Sequence, residues 1–308
     1  MQALLLSRSK PCPVGKQRAL ADSCYLILIG LIVYPSLIPA EVQRRLLDQL
    51  LHRDLANPTH KTNLHLHYYV PYPMSTAGFE VGANSSDTSF FLTEQQDRLE
   101  PKNPALHKPI TIKQMLEKKL RWVTLGGQYD WTAKMYPNEV PPAFPQDIST
   151  LLRGLFPTVD AQAAIVNFYS PGDTLSMHRD VSEECDRDLI SISIGCDGLF
   201  VIGNETGTEL ATIRLRSGDA VLMGADSRFA WHGVPKILSD TCPKRLGDWP
   251  ASEEQSEFDG WAGWMQNKRI NLNVRQMRSQ PHQYADLEVD NRRSSPRMYE
   301  PERAGDKT

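Results

Sequence analysis

NFYSPGDTLSMHRD, running from Asn167 to Asp180, is the stretch on which the reading of this chain turns. Ala164, Ile165 and Val166 lead into Asn167, Phe168 and Tyr169 as a strand, and Ser170, Pro171, Gly172 and Asp173 then force a turn. His178 and Asp180 follow, two residues apart. In an extended chain the side chains at i and i+2 point the same way, so an imidazole and a carboxylate can meet one metal ion. Joined by a second histidine from elsewhere, they make the ligand set of non-haem Fe(II) oxygenases. A lone His-x-Asp also arises by chance in polar loops, so the rest of the chain has to agree.

Downstream the pattern is all strand. Leu189–Gly195 and Leu199–Gly203 flank a turn at Cys196–Gly198; Glu209–Leu215 follows, then a turn at Ser217, Gly218 and Asp219, then Ala220–Met223. Short strands at close spacing with Gly/Asp turns predict an antiparallel jelly-roll barrel. Within it, His232 stands beside Gly233 as the second histidine. Cys242–Met265 breaks the pattern, being polar and bearing Trp249, Trp261 and Trp264, and reads as an inserted loop.

Upstream, 308 residues with 40% hydrophobic content allow a substantial core, and a net charge of -3 provides no global basic field, so contact with nucleic acid needs a local patch. Five scattered cysteines without a Cys-x-x-Cys pair exclude a disulfide framework and a thiolate zinc site and fit a reducing compartment. Residues 1–23 are basic and acid-poor as in a mitochondrial presequence, and read as a disordered extension. The apolar run Cys24–Val33 is too short to cross a bilayer and reads as a buried strand, followed by a helix over Glu41–His52. Asn63–Val70 alternates and predicts a strand; its His65-x-His67 is a rival metal pair, read as a solvated face for want of a third ligand. Pro71–Asn103 reads as a loop, Thr111–Arg121 as an amphipathic helix with Lys113, Lys118 and Lys119 on a basic side, and Gln146–Phe156 as another helix. Tyr129, Trp131 and Tyr136 stand in a glycine-containing loop, where aromatic rings either pack or stack a flat ligand. After Gln276 the chain turns charged and Pro-containing, as a disordered tail does. The organisation expected is therefore extension 1–23, helical and lid region 24–160, barrel 161–278 and tail 279–308.

RINLNVR, Arg269–Arg275, closes the pattern. Ile270, Leu272 and Val274 point one way; Arg269, Asn271, Asn273 and Arg275 point the other. A solvated edge strand looks the same, but inside a barrel two inward arginines need anionic partners. Six residues of strand cover about 20 Å, so arginine side chains leaning together from those ends can flank a short dicarboxylate.

Asn167-x-Tyr169-x-Pro171-Gly172, His178-x-Asp180, His232 and Arg269-x-Asn271-x-x-x-Arg275, in this order, resemble the AlkB family of Fe(II)/2-oxoglutarate dioxygenases. From Arg121 onward the chain is also similar to the branch of the first eukaryotic AlkB homologue. The resemblance implies a double-stranded β-helix (jelly-roll) of mainly β, α+β class with N-terminal helices and a lid. It implies that His178, Asp180 and His232 bind iron and that Arg269 takes the distal carboxylate of 2-oxoglutarate with help from Tyr169. Arg275, Asn167 and Asn271 would serve the co-substrate and its metal-proximal end. The implied reaction consumes O2 and 2-oxoglutarate and strips N-methyl groups from bases of tRNA or DNA, with hydroxylation or demethylation of a protein, or a non-catalytic nucleic-acid-binding barrel, as alternatives. Tyr129, Trp131 and Tyr136 would form the base-stacking lid, with Ser182 where the bacterial repair enzyme carries an acidic residue near the target base. The expected protein is a monomer without a membrane segment, addressed to nucleus or cytoplasm, with the mitochondrion as a further address.

Overall fold

A computed structural model describes residues 4–5, 30–73, 88–137, 139–204, 206, 209–251 and 256–279. In chain order the strands are β1 (Leu4–Leu5), β2 (Leu31–Tyr34), β3 (Arg98–Leu99), β4 (Ile110–Thr111), β5 (Trp122–Gly126), β6 (Ala163–Tyr169) and β7 (Leu175–His178). They continue as β8 (Leu189–Gly195), β9 (Gly198–Gly203), β10 (Leu210–Leu215), β11 (Ala220–Met223), β12 (Trp231–Ile237) and β13 (Arg269–Arg275). The helices are α1 (Ala40–Leu47), α2 (Ile112–Gln114), α3 (Gln146–Leu155) and α4 (Lys244–Gly247). Wider π-helical turns extend α1 over Asp48–Asp54 and α2 over Met115–Lys119.

The barrel consists of two antiparallel sheets, ordered β1-β2-β11-β8-β13-β6-β5 and β10-β9-β12-β7. The expected jelly roll is the fold that forms. One apolar cluster fills the space between the sheets, with Leu189, Val221 and Met223 from the larger and Phe200, Ile202 and Val234 from the smaller. A second and larger cluster covers the outer face of the larger sheet with α1, α3 and the segment before β13.

β13 lies inside its sheet, paired to β6 on one side and β8 on the other, so it is not a solvated edge. Ile270, Leu272 and Val274 are each 0% exposed in the outer cluster. Period-2 alternation then turns Arg269, Asn271, Asn273 and Arg275 into the barrel.

One expectation is corrected and another refined. Asn63–Val70 is not a strand: Asn63–Leu66 is a 3-10 turn capped at Thr62. The Leu64 N–H donates to Thr62 Oγ1 (3.2 Å) and the Thr62 N–H to His65 Nδ1 (2.9 Å), a reciprocal cap that outweighs the alternating pattern. Cys242–Met265, expected as an inserted loop, does stand between β12 and β13, but it carries α4 and two 3-10 turns and packs into the core. Trp249, Phe258, Trp261 and Trp264 are buried in the outer cluster, with Trp249 Nε1 donating to Asp48 Oδ1 (2.7 Å) and Trp261 Nε1 to the Phe91 carbonyl (2.8 Å). The run Pro71–Asn103 contains a 3-10 turn, Phe90–Leu92, and β3 among its described residues. Within residues 1–23 only Leu4–Leu5 are described, paired with β2; Cys24–Ile29 and the tail beyond Ser279 also lie outside the described residues.

His52 sits in this aromatic box, stacked on Phe258 (4.8 Å between centroids) and beside Trp249 (5.0 Å). Burial pulls its pKa down from 6.5 to about 4, so it is folded neutral. The unfolded chain therefore binds the extra proton between those values, and stability is full above pH 6.5 and declines as pH falls toward 4. Between pH 6.5 and 5 the wild type should lose about 2 kcal/mol more than His52→Gln. Urea unfolding at the two pH values measures it, and equal losses in both proteins would rule out His52 as the cause.

Candidate active site

His178 ends β7 and His232 is the second residue of β12, and the two face each other in register across the smaller sheet. Their rings lie 4.4 Å apart between centroids. Asp180, two residues beyond β7, places Oδ1 at 3.8 Å from His178 Nε2 and Oδ2 at 3.8 Å from His232 Nε2. One ligand atom from each residue lies within 4.8 Å of the others, and no other such group of His, Cys, Asp or Glu occurs among the described residues.

Backbone carbonyls set the tautomers. His178 Nδ1 lies 2.9 Å from the Ser176 carbonyl and His232 Nδ1 3.0 Å from the Ala230 carbonyl, each two residues upstream. A carbonyl can only accept, so each Nδ1 carries the proton and each Nε2 offers its lone pair to the centre of the triad. Burial lowers the pKa of His232 and keeps the ring neutral, as a ligand must be. Burial also pushes the Asp180 carboxyl up, but Arg275, His232 and His178 pull it further the other way, to about 2. Two imidazoles turned with Nε2 inward and one carboxylate fit Fe(II) in an open facial site.

Asp180 is held from behind. Arg275 Nη2 donates to its Oδ2 (2.8 Å), and Arg275 Nε pairs with Glu183 Oε1 (3.0 Å). Glu183 Oε2 in turn takes Arg228 Nη2 (2.9 Å), while Arg228 Nη1 donates to the Asp180 carbonyl (2.9 Å). Two guanidinium groups and two carboxylates thus neutralise one another and pin the residues after β7 in place. Arg275 is expected from the sequence at the metal-proximal end; it meets the carboxylate of the candidate triad itself and leaves only Nη1 unpartnered.

Arg269 lies deeper in the barrel, 1% exposed, with Nη2 donating to Ser193 Oγ (2.9 Å) and its guanidinium 5.4 Å from the centre of the Tyr169 ring. Its Nε and Nη1 have no partner among the described protein atoms. Burying unpaired donors of a cation is costly, and a carboxylate satisfies them in a bidentate way. The residues therefore fit a dicarboxylate entering between Arg269 and the triad. Gly198 makes the room, since a Cβ there would sit 2.8 Å from Arg269 Nε. Asn271 faces the same interior but donates to Ser191 Oγ (2.7 Å) and the Ile192 carbonyl (3.1 Å); Asn167 pairs opposite it on β6.

Tyr129, Trp131 and Tyr136 come together in a short hairpin closed by mutual backbone pairing of Asp130 and Met135. Tyr129 contacts both Trp131 (4.9 Å) and Tyr136 (5.3 Å), and Trp131, 42% exposed, lies 5.1 Å from Trp122. Ser182 Oγ donates to the Tyr129 hydroxyl (3.3 Å), which ties the hairpin to the segment carrying Asp180. A cavity of about 270 Å³ opens there between Tyr136, Pro141, Ser182, Met277 and Lys61. β5 pairs with β6 so that Gly126, next to the hairpin, is level with Ala163 and Arg275, whereas Trp122, next to the α2 run, is level with Asn167. Lys113, Lys118 and Lys119 therefore precede β5 at its end away from Arg275, where Trp122 lies against Trp131 of the hairpin. The rival His65-x-His67 is spoken for: His65 caps Thr62 and bonds the Tyr72 hydroxyl (2.7 Å), and His67 lies against His107.

Residues 83–275 match the family model described as the 2OG-Fe(II) oxygenase superfamily. The chain belongs to that superfamily. Among similar members is the N6-methyladenosine RNA demethylase ALKB1 of Pyricularia oryzae, 51% identical over 268 residues that cover 82% of this chain and 75% of the relative. The tRNA demethylase abh1 of Schizosaccharomyces pombe is 38% identical over 258 residues, covering 81% and 79%. The solved structure of OsALKBH1 superimposes with a TM-score of 0.51 at 17% identity, over 82% of this chain and 98% of the other, a likeness of fold. Against this 2OG-Fe(II) oxygenase frame, the features that sequence reading missed are Glu183, Arg228, Ser193 and Gly198. Each acts through a partner distant in sequence, and only the glycine in the β8–β9 turn was visible as a signal.

Proposed function

We propose that this oxygenase removes N-methyl groups from nucleic-acid bases, with methylated RNA, including tRNA, ahead of DNA. The observation that carries the reading is the aromatic hairpin joined through Tyr129 to Ser182, two residues beyond Asp180. It supplies ring faces beside the triad on which an extruded base can stack. Two relatives, an RNA demethylase and a tRNA demethylase, point the same way. In this reading His178, Asp180 and His232 hold Fe(II), Arg269 with Ser193 and Tyr169 grips the distal carboxylate of 2-oxoglutarate, and Arg275 orients Asp180. Iron, 2-oxoglutarate and O2 together supply the oxidation of the methyl carbon, with formaldehyde, succinate and CO2 as products. The chain's own task is to fix the ligands, neutralise the dicarboxylate in a buried site and present the base.

Incubation of the Fe(II)-loaded protein with methylated RNA, methylated DNA and a methylated peptide, followed by mass spectrometry, tests the substrate class. Trp131→Ala should lower RNA demethylation by about tenfold or more, the worth of one stacked base, and spare the uncoupled conversion of 2-oxoglutarate to succinate. Unchanged RNA turnover in that variant, or turnover of the peptide alone, would move protein substrates to the front.

A further inference from the structure

The cavity beside the hairpin and the lysines of the α2 run are connected. Residues 61–63 run along the free edge of β5: Thr62 pairs with Val123, and the Lys61 carbonyl accepts from the Thr124 N–H (2.9 Å). The Asn63 side chain then accepts from the Arg121 N–H (2.8 Å) and donates to the Lys119 carbonyl (2.8 Å). Lys61, on the cavity rim, is thereby followed along one edge by Arg121, Lys119 and Lys118, all exposed, and by Lys113. Roughly 10 Å of strand and roughly 9 Å of helix separate the first of these from the last. The run ends where Lys113, Lys268 and Trp264 line a second groove of about 400 Å³.

Five acidic residues lie nearby: Glu184 pairs with Arg278 (3.4 Å), Glu139 lines the cavity together with Lys61, and the other three are engaged within the fold. Glu117 pairs with Lys113 (3.8 Å), Asp173 with Arg121, and Asp130 Oδ1 accepts the backbone N–H groups of Thr132 and Ala133. Lys118 and Lys119 thus have no acidic partner among the described residues, and Lys61 faces Glu139 and Asp130 at the cavity end, in a chain whose net charge is -3. A local row of like charges with no stabilising role in the fold fits a polyanion of regular charge spacing. We infer that this edge is a track for the phosphodiester backbone of a single-stranded nucleic acid, holding the nucleotides that flank the base presented at the hairpin. The inference rests on the nucleic-acid reading above and extends it to substrate length: a longer strand gains contacts that a mononucleotide cannot make.

The test measures fluorescence anisotropy of an unmethylated single-stranded RNA of about 15 nucleotides, comparable to the reach of a binding groove, against salt concentration. The probes are the wild type, Lys61→Glu/Lys118→Glu/Lys119→Glu, and a control with Lys108→Glu/Lys236→Glu, exposed positions outside the track. Each lost phosphate contact removes about 0.7 from the slope of log K against log salt, so the triple variant should lose about 2 and the control nothing. Demethylation of a methylated mononucleotide should be the same in the wild type, in the control and in Lys118→Glu/Lys119→Glu, which leaves the cavity residue Lys61 in place. An unchanged slope in the triple variant, an equal loss in the control, or a parallel loss with the mononucleotide would overturn the track. Lysine-dependent binding without demethylation of any nucleic acid would leave the track standing and remove the functional reading alone.

Discussion

Asp180→Asn should abolish succinate formation and lower Fe(II) affinity by at least about a hundredfold, more than the loss of an outer partner of a metal ligand. Asp180 is the single anion of the triad, and its carboxylate oxygens are 3.8 Å from each imidazole Nε2, so an amide there leaves the dication held by neutral groups only. Asparagine is the informative substitution because its carbonyl still accepts from Arg275 Nη2. Alanine would also strand that buried guanidinium, at a stability cost of about 3–5 kcal/mol that confuses loss of metal with loss of fold. Metal titration followed by a turnover assay, alongside thermal unfolding, separates the two. Near-normal iron occupancy with near-normal turnover would dismiss the triad as the metal centre.

Arg269→Ala should raise the apparent KM for 2-oxoglutarate by about a hundredfold, the cost of a desolvated charge-assisted pair, and leave Fe(II) binding intact. Two of its N–H groups are buried without a protein partner, so the guanidinium is arranged for a ligand and not for the fold. Lysine should restore only part of the affinity, since it lacks the planar fork. Gly198→Val should copy the arginine defect without touching it, because the new Cβ would push against Arg269 Nε. Titration of 2-oxoglutarate by succinate release reads all three variants. Wild-type KM in Arg269→Ala would return the arginine to a structural role.

What the sequence makes legible is what local spacing encodes. His178 and Asp180 share two-residue spacing after a turn, and RINLNVR declares its two faces by alternation alone, so the triad's first pair and the inward arginines can be read directly. His232 is legible only through motif order, since its pairing with His178 spans 54 residues of chain. The Glu183 bridge between Arg275 and Arg228 is not legible, because nothing in the composition of a polar loop says which distant cation it will meet. Alternation misleads at Asn63–Val70, where a Thr62–His65 cap supplies better local hydrogen bonds than a ladder would. Tryptophans among polar residues mislead at Cys242–Met265 for a related reason: burial there is created by helices and strands more than a hundred residues away.

The outer apolar cluster has a consequence for how this enzyme can be taken apart. It runs without interruption from Leu46 and Leu47 through Phe91 and Ile148 to Ile270, Leu272, Val274 and the tryptophans before β13. A cut at residue 160, where the barrel begins in sequence, would strip one whole side from the sheet that carries Arg269 and Arg275. The catalytic barrel is therefore not a portable module: it keeps its outer sheet face covered only when the segment before residue 160 and the tryptophan-bearing segment before β13 stay with it.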